Sequence, residues 1–211
     1  MKKLFGLPIL VILALLTSGL AKSHEATVIR MPPGQNALEF VGQFNNTPTT
    51  SQQYGYLSTI EGLDSIFSSS SVQNETTALF TFVTNATTDR IISDGPLKIV
   101  NRTGTTTIYL NNAPSSFSTP ASFSQGTAIQ VSSYRQQVIV NTTTNDFSTV
   151  HMNEISQTVP FTLNGALYQL GRTGKLFRTV YSGQVNAPGL VPSGWFGGYA
   201  VGVGSERPEQ E

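Results

Sequence analysis

Two consecutive stretches near the middle of the chain decide the fold: TAIQVSSYRQQVIVN at Thr127–Asn141 and FSTVHMNEISQT at Phe147–Thr158. Both alternate apolar and polar residues or hold short apolar runs, and neither keeps the 3.6-residue apolar period of a helix. The segment TTTND between them is five residues long, a length typical of a β-hairpin loop. The pattern therefore predicts two long antiparallel strands joined by a tight connection.

The same kind of pattern continues on both sides of this hairpin, with short runs bounded by turn residues. Further strands are predicted near Thr27–Met31, Ala37–Phe44, Tyr54–Ile60, Thr77–Thr84, Arg90–Ser93, Leu97–Asn101, Thr105–Leu110, Phe161–Leu163, Ala166–Leu170, Lys175–Val185 and Tyr199–Val203. Turn residues separate them at Pro32-Pro33-Gly34, Asp94-Gly95-Pro96, Thr103-Gly104, Asn164-Gly165 and Thr173-Gly174. The absence of a repeat with a period of about 20–50 residues argues against a solenoid or a propeller.

The short links between consecutive strands predict an all-β fold, an antiparallel meander closed as a small β-barrel. Closure would also hide the strand edges, which are otherwise open to pairing with other chains. A β-sandwich is the alternative, but its strand-switching connections need longer crossings. Only the Ser-rich loops near residues 61–71 and 111–125 could supply them.

The central hairpin predicts a barrel interior that is partly polar. A five-residue loop would set Tyr134 opposite Glu154 on one face and His151 opposite Gln137 on the other. Both faces then mix apolar and polar side chains, whereas a plain two-layer sheet has one cleanly apolar face. A partly polar barrel interior, or a hairpin that projects into solvent, would accommodate this mixture.

The composition excludes several kinds of chemistry. The chain has 211 residues, 12 basic and 12 acidic residues, two histidines and no cysteine. Without cysteine there can be no disulfide, iron–sulfur cluster or thiol nucleophile. A net charge of zero lacks the electrostatic attraction that nucleic-acid binding normally needs, so no nucleic-acid partner is expected. Only 11% of the residues are charged, and Ser, Thr, Asn and Gln take their place, which favours a folded β-rich domain over disorder.

Residues 1–23 predict a cleaved secretory signal peptide. Two lysines precede the apolar run Leu4–Leu16, and the small residues Gly19 and Ala21 then suit the signal peptidase. The run is shorter than the roughly 20 residues that span a membrane, so no stable membrane span is expected after cleavage. We expect a single domain over residues 24–204, a flexible tail over residues 205–211, and export to a bacterial periplasm or to the extracellular space, since cysteine-free domains are less typical of secreted eukaryotic proteins.

Few side chains are candidates for catalysis. The histidines are His24 and His151, and no Gly-x-Ser-x-Gly nucleophile motif is present. His151 is a candidate because its type titrates near neutral pH. Glu154 beside Tyr134 is another, because a carboxyl group buried among apolar residues can act as an acid or a hydrogen-bond donor. Arg135, next to Tyr134 in the chain, completes the candidate set.

Metal and cofactor sites are not expected. Two separated histidines without cysteine cannot form the usual zinc sites. The turn carboxylates Asp64, Asp89, Asp94 and Asp146 occur singly, without the dense acidic pattern of a calcium loop. The glycine-rich stretch Gly197–Gly204 has no strand-to-helix context for a nucleotide site.

Three segments resemble the small barrels of the allene oxide cyclase and dirigent families. They are Thr81-Phe82, the strand and Gly-Pro turn at Arg90–Pro96, and the aromatic residue before a glycine at Phe123–Thr127. The resemblance covers residues 81–127 and rests on turn chemistry, so no functional residue is transferred from it. It implies that a secreted barrel with few catalytic groups could steer a cyclisation or coupling chiefly by its shape.

Three hypotheses about function follow. The leading one is an exported, non-catalytic barrel that binds a small apolar or amphipathic ligand or a surface partner. The alternatives are a secreted barrel enzyme of the isomerase or cyclase type, using the four candidate residues, and a structural subunit of the cell surface or matrix that assembles through strand edges. A ligand-binding barrel predicts a cavity of a few hundred Å³, and an enzyme predicts ionisable groups that converge inside it.

Overall fold

The computed structural model describes residues 25–203. Its strands are β1 (Thr27–Ile29), β2 (Asn36–Asn46), β3 (Thr50–Ile60), β4 (Phe80–Asp94), β5 (Leu97–Leu110), β6 (Thr127–Asn141), β7 (Asp146–Thr158), β8 (Phe161–Leu163), β9 (Ala166–Leu170), β10 (Leu176–Val185) and β11 (Gly194–Gly202), with one 3-10 helix at Pro120–Ser124. The predicted signal peptide (residues 1–23) and the predicted flexible tail (residues 205–211) lie outside the described residues.

Eight of the strands close into a barrel in the order β2-β3-β4-β5-β6-β7-β10-β11. The first six follow one another in the chain as an antiparallel meander. Strand β10 then pairs with β7, and β11 pairs with both β10 and β2, which closes the barrel. The prediction of an antiparallel meander closed as a β-barrel is confirmed.

The two ends of the barrel differ in the length of their connections. One end, called here the hairpin end, carries the loops 47–49, 95–96, 142–145 and 186–193. The opposite end carries the longer segments 61–79, 111–126 and 159–175, the last of which contains β8 and β9. No helix within residues 25–203 is long and apolar enough to cross a membrane.

A small three-stranded sheet covers the end opposite the hairpin end. Strand β9 pairs in parallel with β1 and antiparallel with β8. The ring of Phe161 in β8 lies 5.5 Å from that of Phe80 in β4. Gln130 Nε2 in β6 donates a hydrogen bond of 2.9 Å to the carbonyl oxygen of Leu170 in β9. These contacts attach the small sheet to the barrel, and the sheet closes this end of the barrel interior.

Aromatic side chains fill the half of the interior next to β2 and β11. The ring of Phe40 lies 5.8 Å from Phe82, 6.1 Å from Tyr181 and 6.1 Å from Phe196, each in an edge-on or near edge-on arrangement. Such geometry is favoured between aromatic rings, and large rings bury much apolar area for each residue. This cluster is the apolar core of the barrel.

The segment 111–126 covers the outer surface of β3 and β4. Phe123, which is completely buried, stacks at 5.6 Å from the ring of Tyr54, and its carbonyl oxygen accepts a 2.7 Å hydrogen bond from Thr81 Oγ1. Phe117 lies 5.2 Å from Trp195 of β11. The predicted Ser-rich loop is therefore a fixed cover over the barrel wall, not a crossing between two sheets.

The prediction of a turn at Thr103-Gly104 is wrong. These residues lie inside β5, and the strands predicted at Leu97–Asn101 and Thr105–Leu110 are two parts of that one strand. Gly104 faces the interior beside Tyr134, where an added Cβ would lie only 2.7 Å from Tyr134 Oη. The glycine marks a close approach between neighbours in the sheet. Strand β4 likewise joins two predicted strands, with a bulge after Thr88.

The predicted register of the central hairpin is wrong by one residue. Tyr134 pairs with Asn153 instead of Glu154, and Glu154 pairs with Ser133. The loop is shorter than predicted because Asn145 adopts a left-handed φ of 63° and its N–H bonds to the carbonyl oxygen of Asn141 at 2.7 Å. Asparagine tolerates this conformation better than most residues. A shift of one residue moves every side chain of a strand to the other face.

Candidate functional site

A cavity of about 310 Å³ opens at the hairpin end of the barrel. Apolar side chains from β2, β5, β6, β7 and β10 form its wall, namely Phe44, Val100, Val138, Val140, Phe147 and Val185. Polar side chains farther inside form its floor, namely Ser51, Gln53, Arg102, Gln136, Thr149 and Tyr181. Lys98 and Asn46 line it closer to the loops. The cavity is therefore apolar along its sides and polar at its base.

The strand register brings the floor together. Arg102 pairs with Gln136, Gln136 with His151, and His151 with Thr179, so these residues form one row across β5, β6, β7 and β10. Their side chains point inward, because alternate residues of these strands are buried. Tyr181 lies two residues beyond Thr179 on the same face. The site is thus a single band on the inner surface of four neighbouring strands.

Tyr181 is the centre of the hydrogen-bond network in the floor. Its hydroxyl group donates to Gln53 Oε1 at 3.1 Å and accepts from Gln136 Nε2 at 2.6 Å. His151 Nε2 lies 3.0 Å from the same oxygen. The direction of this last hydrogen bond is set by the tautomer of the imidazole ring. With these three contacts, every hydrogen-bonding position of this hydroxyl group is used.

His151 is held as a neutral ring. Burial, and after it the nearby charge of Arg102, lower its pKa to about 3, although a hydrogen bond with Asn153 acts in the opposite direction. The ring stacks on Tyr134 with centroids 4.2 Å apart and planes 9° apart. Burial also raises the pKa of both Tyr134 and Tyr181. These three rings are therefore uncharged near neutral pH.

Arg102 is the charged group of the floor. Only 9% of its surface is exposed, and burial lowers the pKa of its guanidinium group, which nevertheless stays protonated. Its one hydrogen bond within the described residues runs from Nε to Thr88 Oγ1, at 3.4 Å. No carboxylate among residues 25–203 forms an ion pair with it. A buried arginine is normally paired with an acidic side chain, because an isolated charge is costly to remove from water.

Several hydroxyl and amide oxygens of the interior also have no hydrogen-bond partner. Within the described chain these buried atoms include Ser51 Oγ, Tyr134 Oη, Gln136 Oε1 and Thr149 Oγ1. Three of these residues line the cavity, and Tyr134 lies directly behind them against His151. Buried polar atoms are satisfied in the great majority of cases. Three of these exceptions in the lining of one cavity, with a fourth next to it, concentrate unsatisfied polar atoms at its base.

A second, smaller void of about 50 Å³ lies on the other side of the floor. Gln53 and Tyr181 line both spaces, so they form the partition between them. Leu38, Phe82 and Phe196 give this inner void a mainly apolar wall. Its volume is enough for a few water molecules at most. Of these two spaces inside the barrel, the cavity at the hairpin end is therefore the one that could hold a larger molecule.

The structure separates the four residues that the sequence singled out. Tyr134 and His151 are buried inside the barrel and in contact with each other. Arg135 and Glu154 are exposed on the outer surface, because the true register places them on the opposite face. The predicted contact between Tyr134 and Glu154 is therefore absent.

Sequence reasoning missed Arg102 and Tyr181. In the stretch Val100–Ile108 every second residue faces inward, so the alternation could have placed Arg102 on the inner face. The turn predicted at Thr103-Gly104 divided β5 into two short strands, so this alternation was not recognised. Nothing in the sequence links Tyr181 of β10 to β5, because their proximity depends on closure of the barrel.

The described residues contain no group of three or more His, Asp or Glu side chains that could hold a metal ion. His24 lies outside the described residues.

Comparisons with protein-family models, with curated proteins and with solved structures find no match to this chain. The likeness to allene oxide cyclase and dirigent barrels therefore rests on the sequence pattern of residues 81–127 alone.

Proposed function

We propose that the barrel binds a small amphipathic ligand in the cavity at its hairpin end. The observation that carries this proposal is the coincidence of an open cavity of about 310 Å³ with unpartnered buried polar atoms at its base. The apolar part of the ligand would lie against the valine and phenylalanine wall. Its polar end would reach the floor and complete the hydrogen bonds there.

The cavity volume supports a compact ligand. It lies at the lower end of the roughly 300–1,000 Å³ range of small-molecule sites. With a water molecule occupying about 30 Å³ in the liquid, it accommodates on the order of ten non-hydrogen atoms. A medium-chain or single-ring amphiphile fits this size.

A barrel isomerase or cyclase is the second candidate, favoured by the convergence of Arg102, Tyr134, His151 and Tyr181 in the interior. An acid–base mechanism needs a group whose pKa lies near the working pH. The pKa of His151, about 3, makes its ring a weak base, and the raised pKa values of the two phenols keep them protonated. The floor is therefore better suited to holding a polar group than to moving a proton, which supports binding as the primary role.

The proposed setting is outside the cytoplasm. The lysines, apolar run and small residues of positions 1–23 support export. Assembly through strand edges, as in the structural hypothesis, is less well supported because the barrel strands pair on both sides along most of their length. In the described residues, free edges occur at β1 and β8, each of three residues, and along the end of β4 (residues 89–94), which pairs with β5 but not with β3.

The test is a fluorescence titration with 1-naphthylamine, a small uncharged aromatic probe whose emission shifts to shorter wavelength in apolar sites. The wild-type protein is expected to bind it saturably. Val138→Trp, which fills the cavity from the wall, is expected to weaken binding at least about tenfold, or roughly 1.4 kcal/mol. Ile139→Trp is the matched control, because Ile139 is the next residue on β6 and lies 38% exposed on the outer surface.

Circular dichroism would first show that both tryptophan variants keep the β-sheet spectrum of the wild type. Equal affinity of the probe for wild type, Val138→Trp and Ile139→Trp would place binding outside this cavity. Absence of saturable binding to the wild type would overturn the proposed function.

A further inference from the structure

We propose that the floor of the cavity is a carboxylate-binding site, in which Arg102 pairs with the acidic head of an amphipathic ligand. This inference rests on the proposed function and specifies the class of molecule bound. It is carried by a buried guanidinium group without an acidic partner, at the base of a cavity that opens to solvent.

The charges around the cavity favour an anion. Its lining contains the two cationic residues Lys98 and Arg102 and no aspartate or glutamate. The carboxylates of the barrel strands point away from the interior, because Asp89, Asp94, Asp146 and Glu154 are exposed and Glu39 bonds to Thr59 on the outer surface. The cavity is thus positive in a chain whose overall formal charge is zero.

The unused hydrogen-bond donors of the floor match a carboxylate. Arg102 uses only its Nε atom within the described residues, so both terminal NH₂ groups are available. A guanidinium group binds a carboxylate through two parallel hydrogen bonds, and this geometry is among the strongest polar contacts in proteins. The unpartnered hydroxyl groups of Ser51 and Thr149, which both line the cavity, each carry a proton that a carboxylate oxygen can accept.

The surroundings keep Arg102 without a competing anion. Tyr134 and Tyr181 stay protonated because burial raises their pKa values, and His151 is a neutral ring. None of these groups neutralises the guanidinium charge. An incoming carboxylate would therefore meet an unpaired cation that is already held in position by the strand.

The apolar wall determines the chemical character of the rest of the ligand. Val100, Val138 and Val140 line the path from the floor to the loops, so the group attached to the carboxylate is apolar. Lys98 lies near the mouth and adds attraction for an anion that enters from solvent. The expected ligand class is a monocarboxylic acid with an aliphatic or aromatic body of about ten non-hydrogen atoms.

Displacement of 1-naphthylamine tests the inference with two competing ligands of the same chain length, octanoate and 1-octanol. At pH 7.5 the wild type is expected to bind octanoate at least about tenfold more tightly than octanol. In Arg102→Gln this preference is expected to disappear. Arg135→Gln removes the same charge from the outer face of β6 and is expected to keep the wild-type preference.

Inorganic phosphate, titrated alone, separates recognition of an amphiphile from general attraction of anions. The inference predicts that phosphate at the same concentration displaces the probe much less than octanoate does. Equal displacement by both anions, equal binding of octanoate and octanol to the wild type, or an unchanged preference in Arg102→Gln would overturn the carboxylate site.

The two proposals fail in different ways. If the neutral probe binds the wild type and Val138→Trp blocks it, the ligand-binding function stands even when octanoate shows no preference. If the probe does not bind, the function itself fails. Should Arg102→Gln not fold, the comparison of octanoate with octanol in the wild type still decides the inference. Arg102→Lys, which keeps the positive charge but lacks the planar guanidinium group, then serves as the second variant.

Discussion

A protonated His151 would place a second positive charge beside Arg102 inside the barrel. The imidazole avoids this by staying neutral, with a pKa of about 3 caused first by burial and then by Arg102. Its Nε2 atom is hydrogen-bonded to the hydroxyl group of Tyr181, and its ring face is covered by Tyr134. At the scale of single residues, the interior therefore holds one cation and a set of neutral groups that orient one another.

This arrangement makes stability depend on pH. The pKa of His151 falls from its ordinary 6.5 in the unfolded chain to about 3 in the folded protein. Between these two pH values the unfolded chain therefore binds a proton that the folded protein does not bind. The free energy of unfolding should fall as the pH drops from 6.5 toward 3, by up to about 1.4 kcal/mol per pH unit from this group. Above pH 6.5 its contribution is constant.

Urea unfolding at a series of pH values, for wild type and His151→Gln, measures this contribution. A glutamine amide can still donate to Tyr181 but does not titrate, so the variant should lose less stability between pH 6.5 and 3. All other titratable groups are the same in the two proteins, so their contributions cancel when the two free energies of unfolding are subtracted. Parallel curves for the two proteins would show that His151 is not held neutral by the fold.

At the scale of single strands, β5 shows how one glycine sets the cavity floor. An added Cβ at Gly104 would lie 2.3 Å from the carbonyl oxygen of Asn85 and 2.7 Å from Tyr134 Oη. Such approaches are too close for a carbon atom, so the strands or the Tyr134 ring would have to move. The absence of a side chain at this position therefore fixes where Tyr134 and its stacked partner lie.

Gly104→Ala is accordingly expected to lower the free energy of unfolding by about 1–3 kcal/mol, the usual cost of overpacking. Gly197→Ala is the matched control, because a Cβ there meets only the carbonyl oxygen of Phe40, at an ordinary 3.7 Å. That variant should be neutral or slightly stabilising. Denaturant unfolding of both proteins gives the comparison, and equal stabilities would contradict the packing role of Gly104.

The hairpin of β6 and β7 shows why strands could be predicted but not their register. The inner face carries Gln136, His151 and Asn153, while the outer face carries Val150 and Met152. Hydrophobicity therefore does not mark which face is buried, and it is normally what specifies register. The buried polar groups are tolerated because they bond to one another and to Tyr181. Which face is buried is decided by the length of the loop, where Asn145 adopts a left-handed conformation.

At the scale of the whole molecule, the barrel was predictable and the site only in part. Consecutive short links imply neighbouring strands, and most of the barrel is such a meander. Tyr134 and His151 were both candidates from the sequence, but the predicted register placed them on opposite faces of the hairpin, so their contact was not predicted. Arg102 and Tyr181 join them only when β5 and β10 flank that hairpin, and the chain makes the excursion of β8 and β9 before β10. Pairings across such an excursion leave no local signal in the sequence.

Closure of the barrel depends on its last strand. Strand β11 pairs with β10 on one side and β2 on the other, and it brings Phe196 and Ala200 into the core. Without it, β2 and β10 would each expose a full row of unpaired backbone groups, which invites pairing with other chains. A chain that ends at Val185 is therefore expected to lose cooperative thermal unfolding and to form large aggregates.

Light scattering and circular dichroism melting of that truncated chain, beside a control that ends at Gly204, test this expectation. The control retains all eight barrel strands and should melt cooperatively, like the full chain. The loss of β11 also removes the Phe196 side of the interior, so the truncated chain should not bind 1-naphthylamine saturably at a single site. A soluble, cooperatively melting chain that ends at Val185 would show that the meander β2–β7 with β10 is stable as an open sheet.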